Sequence, residues 1–417
     1  MSAALDMPPF RVVAAALRKT TEHLAAEVVQ SSASPPDWNE LEWAIARSAA
    51  AMQGISALLA NNVRWSGPPA WLSFLGEQRE QGLLRHARIG ELLEQIDTAA
   101  RRRGVECMAL KGAALRDLNL YGYGERPMGD IDLLVSSRDM FPIAAVMAEI
   151  DYVDAFITQR HRVFEPRRKL PTRGFGEHVD NPLKIEIHTA IAEPLPVRNV
   201  DITERLKRST RGSGLRNYPD LVSLFLHLLL HAAGNMRAHA LRQIQLHDIA
   251  MLASLLYESD WRALLELQHD GEAPWWLFPP LALTARYYPR HIPGDVLRTA
   301  SAECPVVLRF AAARQSLTDV SWSNLRIHAF PGITWSRTPL DVLRFMRSRV
   351  MPSRLSLAEI DLARHAQPQL NTVPWYGLPH GSRLLRGLFS RPPRVQTIVS
   401  VRAALASVGI EGTEAAD

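Results

Sequence analysis

Lys111-Gly112-Ala113-Ala114 and, shortly after it, Arg126-Pro127-Met128-Gly129-Asp130-Ile131-Asp132-Leu133-Leu134-Val135 decide how this chain reads. The second stretch is apolar enough for a strand, yet it carries two aspartates. Side chains alternate between the faces of a strand, so Asp130 and Asp132 point one way while Ile131, Leu133 and Val135 point the other. Two carboxylates a few ångströms apart repel each other unless a cation lies between them. Their hard oxygen atoms suit Mg²⁺, carried in on the phosphates of a nucleotide. The expectation is a metal-dependent phosphoryl or nucleotidyl transfer site.

Before this strand, residues 105–110 form a short apolar run that predicts another, Gly112 permits a tight turn, and 113–118 begin a helix. A loop containing Gly and Pro, 121–129, leads into the aspartate strand. Residues 142–150 predict a helix and 154–164 a further strand, whereas 167–182, rich in charge, proline and glycine, predict a mobile loop. Alternation returns at 183–189. Leu183, Ile185 and Ile187 lie on one face, and Lys184, Glu186 and His188 on the other. Glu186 follows Asp132 by 54 positions, enough chain for a helix and a return strand that bring it beside the pair.

The flanks read as helical. Residues 17–29, 38–59 after Pro35-Pro36, and 71–100 after Pro68-Pro69 carry helical apolar spacing, the last as one helix or two. After Asp220, helices are predicted over 222–233 and 239–257, separated by Gly234-Asn235, and then over 261–267, 276–288, 306–316, 340–350, 357–364, 383–388 and 395–406. No fixed-period repeat interrupts this order of helices, a compact α/β insert, and helices again.

The 417 residues are 47% apolar, which fits a globular protein of two or three packed subdomains. No uninterrupted apolar run reaches bilayer length, and the N-terminus shows no secretory pattern, so a cytoplasmic location is expected. Cys107 and Cys304 are the only cysteines, which excludes a disulfide framework and every multi-cysteine metal site. The net charge of +5 is a small excess for this length. Five lysines stand against 43 arginines, which makes Lys111 conspicuous.

With Lys111-Gly112, Asp130-Ile131-Asp132 and Glu186-Ile187-His188 in this order, the chain resembles the polymerase-beta-like nucleotidyltransferase superfamily. It is more closely similar to the bacterial family of uncharacterised nucleotidyltransferases, over about residues 105–256. The resemblance implies an α+β fold, a small mixed β-sheet nucleotidyltransferase core embedded between predominantly helical N- and C-terminal regions. The order of predicted elements divides the chain into a helical region 1–103, the α/β core 104–200, a helical region 201–325 expected to bind substrate, and a helical and irregular region 326–417. Asp130, Asp132 and Glu186 become the catalytic and metal carboxylates, holding Mg²⁺ or Mn²⁺, with an NTP, by default ATP, as co-substrate.

Around them, Gly112 lets the backbone approach phosphate, and the amides of Ala113 and Ala114 offer donors at a helix N-terminus. Ala113 stands where the wider superfamily often has serine, so a hydroxyl contact to phosphate is missing. Lys111 either neutralises the β- or γ-phosphate or projects into solvent, and Arg126 either clamps phosphate with its planar fork or does not. His188 shares the face of Glu186, and His161 and His178 are weaker candidates nearby. The closer family has a histidine-bearing helix followed by an arginine and an Asp-Ile pair, which resembles His231, Arg242 and Asp248-Ile249. Those residues, with His227 one turn before His231, position base or acceptor, or simply fix one helix against another.

The implied reaction moves a nucleoside monophosphate onto a hydroxyl or phosphate of a small molecule, peptide, protein or RNA, and releases pyrophosphate. Two other readings stay open: a non-catalytic nucleotide- or RNA-binding module, and a phosphotransferase using the same metals. Neither membrane insertion nor an obligate protein partner is expected.

Overall fold

β2 (Asp130–Val135) forms over the residues that the alternation predicts, and it runs near the middle of the sheet. The computed structural model describes residues 7–157, 161–168, 175–207, 212–267, 273–354, 357, 378–390 and 392–407. Within them β2 lies antiparallel to β1 (Glu106–Ala109) and parallel to β5 (Lys184–His188), while β3 (Tyr152–Ile157) and β4 (His161–Pro166) pair antiparallel beyond β5. A short strand, β8 (Gly214–Arg216), closes the other edge parallel to β1, giving the mixed order β3-β4-β5-β2-β1-β8. β6 (Ala192–Leu195) and β7 (Arg198–Asp201) form a separate ribbon. The fold is α+β, a six-stranded mixed sheet set among helices.

One face of β2 and β5 is sealed. Ile131, Leu133, Ile185 and Ile187 are wholly buried, in one apolar core with Ile89, Leu92 and Ile96 of α4 (Pro69–Arg102) and Ile143, Val146 and Met147 of α6 (Met140–Glu149). A strand sealed on one side presents its alternate residues to the other, which is what aligns the carboxylates. α4 begins at Pro68-Pro69 and continues unbroken for 34 residues, so the single-helix reading of 71–100 holds.

A second core joins the two ends of the chain. α1 (Phe10–Val29), α2 (Glu40–Gln53) and α3 (Ser56–Asn62) bury Leu17, Leu24, Ile45 and Leu59 together with Ile398, Val401 and Leu405 of the helix Val395–Ala406. Arg47 Nη2 donates to Ala404 O at 2.7 Å across this contact. No helix among the described residues is long and apolar enough to cross a membrane.

Several expectations are corrected. Residues 38–59 form α2 and α3 on either side of Gly54-Ile55 instead of one helix. The expected single strand at 154–164 is instead β3 and β4, with 158–160 outside the described residues. α8 (Leu221–Ala238) passes straight through Gly234-Asn235 and ends at His239, whose φ is +54°. Gly234 breaks nothing because its role is packing: a Cβ there would lie 2.5 Å from Glu193 Oε2 of β6. The helix expected over 239–257 therefore starts late, as α9 (Gln243–Ala253).

The described part of the expected mobile loop is anchored. Arg85 of α4, almost wholly buried, donates from Nη1 to His178 O and Asn181 O at 2.9 and 2.8 Å and from Nη2 to Met128 O at 2.8 Å. Its Nε pairs with Glu177 Oε2 at 2.8 Å. One guanidinium thus ties the approach to β2 and the approach to β5 to the same helix. Residues 169–174 of that loop, and most of the helix expected at 357–364, lie outside the described residues.

Candidate active site

The pairing register sets the site. Asp132 is directly opposite Glu186 across β2 and β5, and His188 is directly opposite His161 across β5 and β4. Paired residues share a face, so Asp130, Asp132, Glu186, His188 and His161 all project from the unsealed side of the sheet. Asp130 opens β2 and lines a cavity, and Asp132, two residues deeper, is 6% exposed.

Asp132 has two partners on one oxygen. Its Oδ1 accepts from Lys111 Nζ at 3.0 Å and lies 2.8 Å from His188 Nε2. Burial pushes this carboxyl up, but the charges of Lys111 and His188 outweigh burial and hold it well below the usual range. Asp130 goes the other way, raised by its enclosure and by the charge of Asp132. Glu186 is pushed up to about 7, by burial first and then by Asp130 and Asp132. Lys111 is raised as well, because Asp132 and Asp130 overcome its burial, so its ammonium keeps its proton.

Lys111 opens α5 (Lys111–Arg116) with φ +47°, a strained value for a residue with a side chain. Tyr218 Oη lies 3.4 Å from its amide and 2.5 Å from Nδ1 of the buried His227. The amide of Ala113 already donates to Leu110 O at 3.1 Å. Gly112 serves close packing, since a Cβ there would stand 2.2 Å from Arg126 Nη1.

Arg126 does not reach out from its loop. It forms a two-pronged pair with Asp248 of α9, Nε to Oδ1 at 2.7 Å and Nη2 to Oδ2 at 2.6 Å, and Tyr121 Oη donates to the same Oδ1 at 2.5 Å. Asp248 is thereby the residue that holds Arg126 over Gly112. Arg242 donates from Nε to Met52 O at 2.9 Å, and burial lowers its pKa. His231 Nδ1 lies 3.8 Å from Glu193 Oε1, with Nε2 3.0 Å from Asn235 Nδ2.

Two cavities meet at these groups. One, of about 310 Å³, is lined by Arg126, Asp130, Asp132, Arg242 and Asp248 among others; the second, of about 170 Å³, by His161, His188, Glu193 and His227. Lys111, Glu186 and His231 line both. His178 lines neither, and its Nδ1 accepts from the Asp180 amide at 3.1 Å.

The model of a family described as "Uncharacterised nucleotidyltransferase" matches residues 39–289. The chain belongs to that family. It is therefore a transferase enzyme, and the match takes in α2 to α4, the whole sheet, α8 and α9. No curated protein and no solved structure matches the chain.

In this nucleotidyltransferase the residues fit a divalent cation by their chemistry. The donors are carboxylate oxygens, two of the three carboxyls are raised by burial and then by the neighbouring carboxylates, and a lysine ammonium already sits against the third. Tyr218, Tyr121, Arg85 and Glu193 were not among the expected site residues. They act by long-range contact and belong to no local pattern.

Proposed function

We propose that this nucleotidyltransferase moves a nucleoside monophosphate from an NTP, by default ATP, to a hydroxyl or phosphate acceptor and releases pyrophosphate. The observation that carries the reading is the register of β2 and β5, which aligns Asp130, Asp132 and Glu186 on one open face beside Lys111. Those three carboxylates would hold Mg²⁺ or Mn²⁺, which supplies charge neutralisation on the phosphates and a lower pKa for the acceptor oxygen.

The larger cavity takes the nucleotide. Lys111, once released from Asp132, faces the β- and γ-phosphates, and the Gly112 backbone allows close approach. Arg126 is held in place by Asp248 and presents its Nη1 edge over Gly112. The acceptor enters from the smaller cavity, where His161, Glu193 and His231 offer polar contacts. Its oxygen attacks the α-phosphorus in line, the bond from that phosphorus to the bridging oxygen breaks, and pyrophosphate departs. Glu186, on the acceptor side of the pair, serves either as a ligand to that cation or as the base that takes the acceptor's proton.

Incubation with NTP labelled at the α-phosphate tests the reading. Label on an acceptor together with pyrophosphate supports it; transfer of the γ-phosphate alone would make the enzyme a phosphotransferase, and binding without transfer a nucleotide- or RNA-binding module.

A further inference from the structure

His161, Glu186 and His188 bring three ligand atoms within 4.8 Å of one another, and among the described residues no other group of three or more His, Cys, Asp or Glu side chains does so. Glu186 Oε2 lies 3.5 Å from His161 Nε2 and 4.0 Å from His188 Nε2. Asp130, Asp132 and Glu186 share a face, yet their oxygens do not converge in this way. We propose that His161, Glu186 and His188 form a separate site for a first-row transition dication of the zinc type, at the floor of the smaller cavity.

The geometry suits such an ion. Bonds of about 2.0–2.2 Å to nitrogen and oxygen, arranged tetrahedrally, place neighbouring donor atoms roughly 3.3–3.5 Å apart. The Glu186 separations of 3.5 and 4.0 Å lie close to that value, and the two imidazole donors are within 4.8 Å of each other. The three ligands come from two hydrogen-bonded strands, with His161 and His188 directly paired, so the backbone already supplies the spacing. Three protein ligands leave a fourth position facing the cavity.

The donor set discriminates between ions. Two imidazoles and one carboxylate favour zinc, cobalt or nickel, whereas Mg²⁺ prefers oxygen ligands throughout. The structure thus separates an oxygen face at Asp130 and Asp132 from a nitrogen face at His161 and His188, with Glu186 between them. Binding takes His188 Nε2 away from Asp132 Oδ1, leaving that carboxylate to Lys111. The fourth position then lies on the side where an acceptor enters, which makes an acceptor oxygen the natural fourth ligand.

The test is a Co²⁺ titration of the full chain, free of nucleotide, in excess Mg²⁺, read by the visible absorption of nitrogen-ligated cobalt. The expected result is one equivalent bound despite Mg²⁺, weakened at least tenfold in His161→Ala and unchanged in Asp130→Asn. Cobalt that Mg²⁺ displaces, or that binds equally well to His161→Ala, would overturn the site. Circular dichroism and Mg²⁺-NTP binding of His161→Ala report whether the variant folds, and His161→Cys, which keeps a metal donor, is expected to restore binding. Because no turnover is measured, failure here and failure to find nucleotidyl transfer are separate results.

Discussion

Lys111 Nζ lies 3.0 Å from Asp132 Oδ1, so the conspicuous lysine of this arginine-rich chain rests against one carboxylate of its own site. It competes with any divalent cation for that oxygen. It is also the group best placed to meet a phosphate once displaced. Lys111→Met is therefore expected to bind Mn²⁺ more tightly in the absence of nucleotide, and to turn over NTP about 100-fold more slowly, the scale for losing one preorganised charge donor. Calorimetric Mn²⁺ titration beside steady-state kinetics checks both halves, and unchanged Mn²⁺ affinity would show that Lys111 does not guard Asp132.

Gly112 and Asp248 hold Arg126 from opposite sides. Gly112→Ala puts a Cβ 2.2 Å from Arg126 Nη1, a clash that only displacement of the guanidinium relieves. Asp248→Ala leaves a buried cation without its partner, at a cost of about 3–5 kcal/mol. Urea denaturation of Asp248→Ala is expected to show that loss, and Gly112→Ala to raise the KM for NTP with a smaller change in stability. A Gly112→Ala enzyme with wild-type KM would remove Arg126 and the turn from nucleotide binding.

The carboxyl of Glu186, pushed up to about 7, makes stability depend on pH. Its folded pKa exceeds the unfolded value of about 4.3, so the folded state binds more protons between the two. The contribution is fully present below the unfolded value and is lost as pH rises through about 7. Without divalent cations, Glu186→Gln is expected to match the wild type in Tm near pH 4 and to exceed it at pH 8. A Tm difference independent of pH would contradict the raised pKa.

The candidate site is legible in the sequence where it depends on local alternation. The pattern Asp130-Ile131-Asp132 placed two carboxylates on one face and Lys184-Ile185-Glu186-Ile187-His188 placed another group likewise; the parallel register of the two strands brings Asp132 opposite Glu186. What local pattern does not carry is which distant residue meets which. Arg126 and Asp248 are 122 positions apart and Arg85 lies more than 90 from the carbonyls of His178 and Asn181, so their pairing emerges only from the packing of α4 and α9. Gly234 misled because a glycine in a helix usually marks weakness, whereas here it makes room for Glu193. His161 stands out only in the fold, where it lies opposite His188 across a strand pair.

Incubating wild type, Asp130→Asn and Asp132→Asn with Mg²⁺ and NTP labelled at the α-phosphate, then following label on acceptors and pyrophosphate release, shows whether the aligned carboxylates perform nucleotidyl transfer. Labelled product and pyrophosphate are expected from the wild type, and a loss of about 1,000-fold in both variants with circular dichroism unchanged. Undiminished transfer in either folded variant would contradict that role.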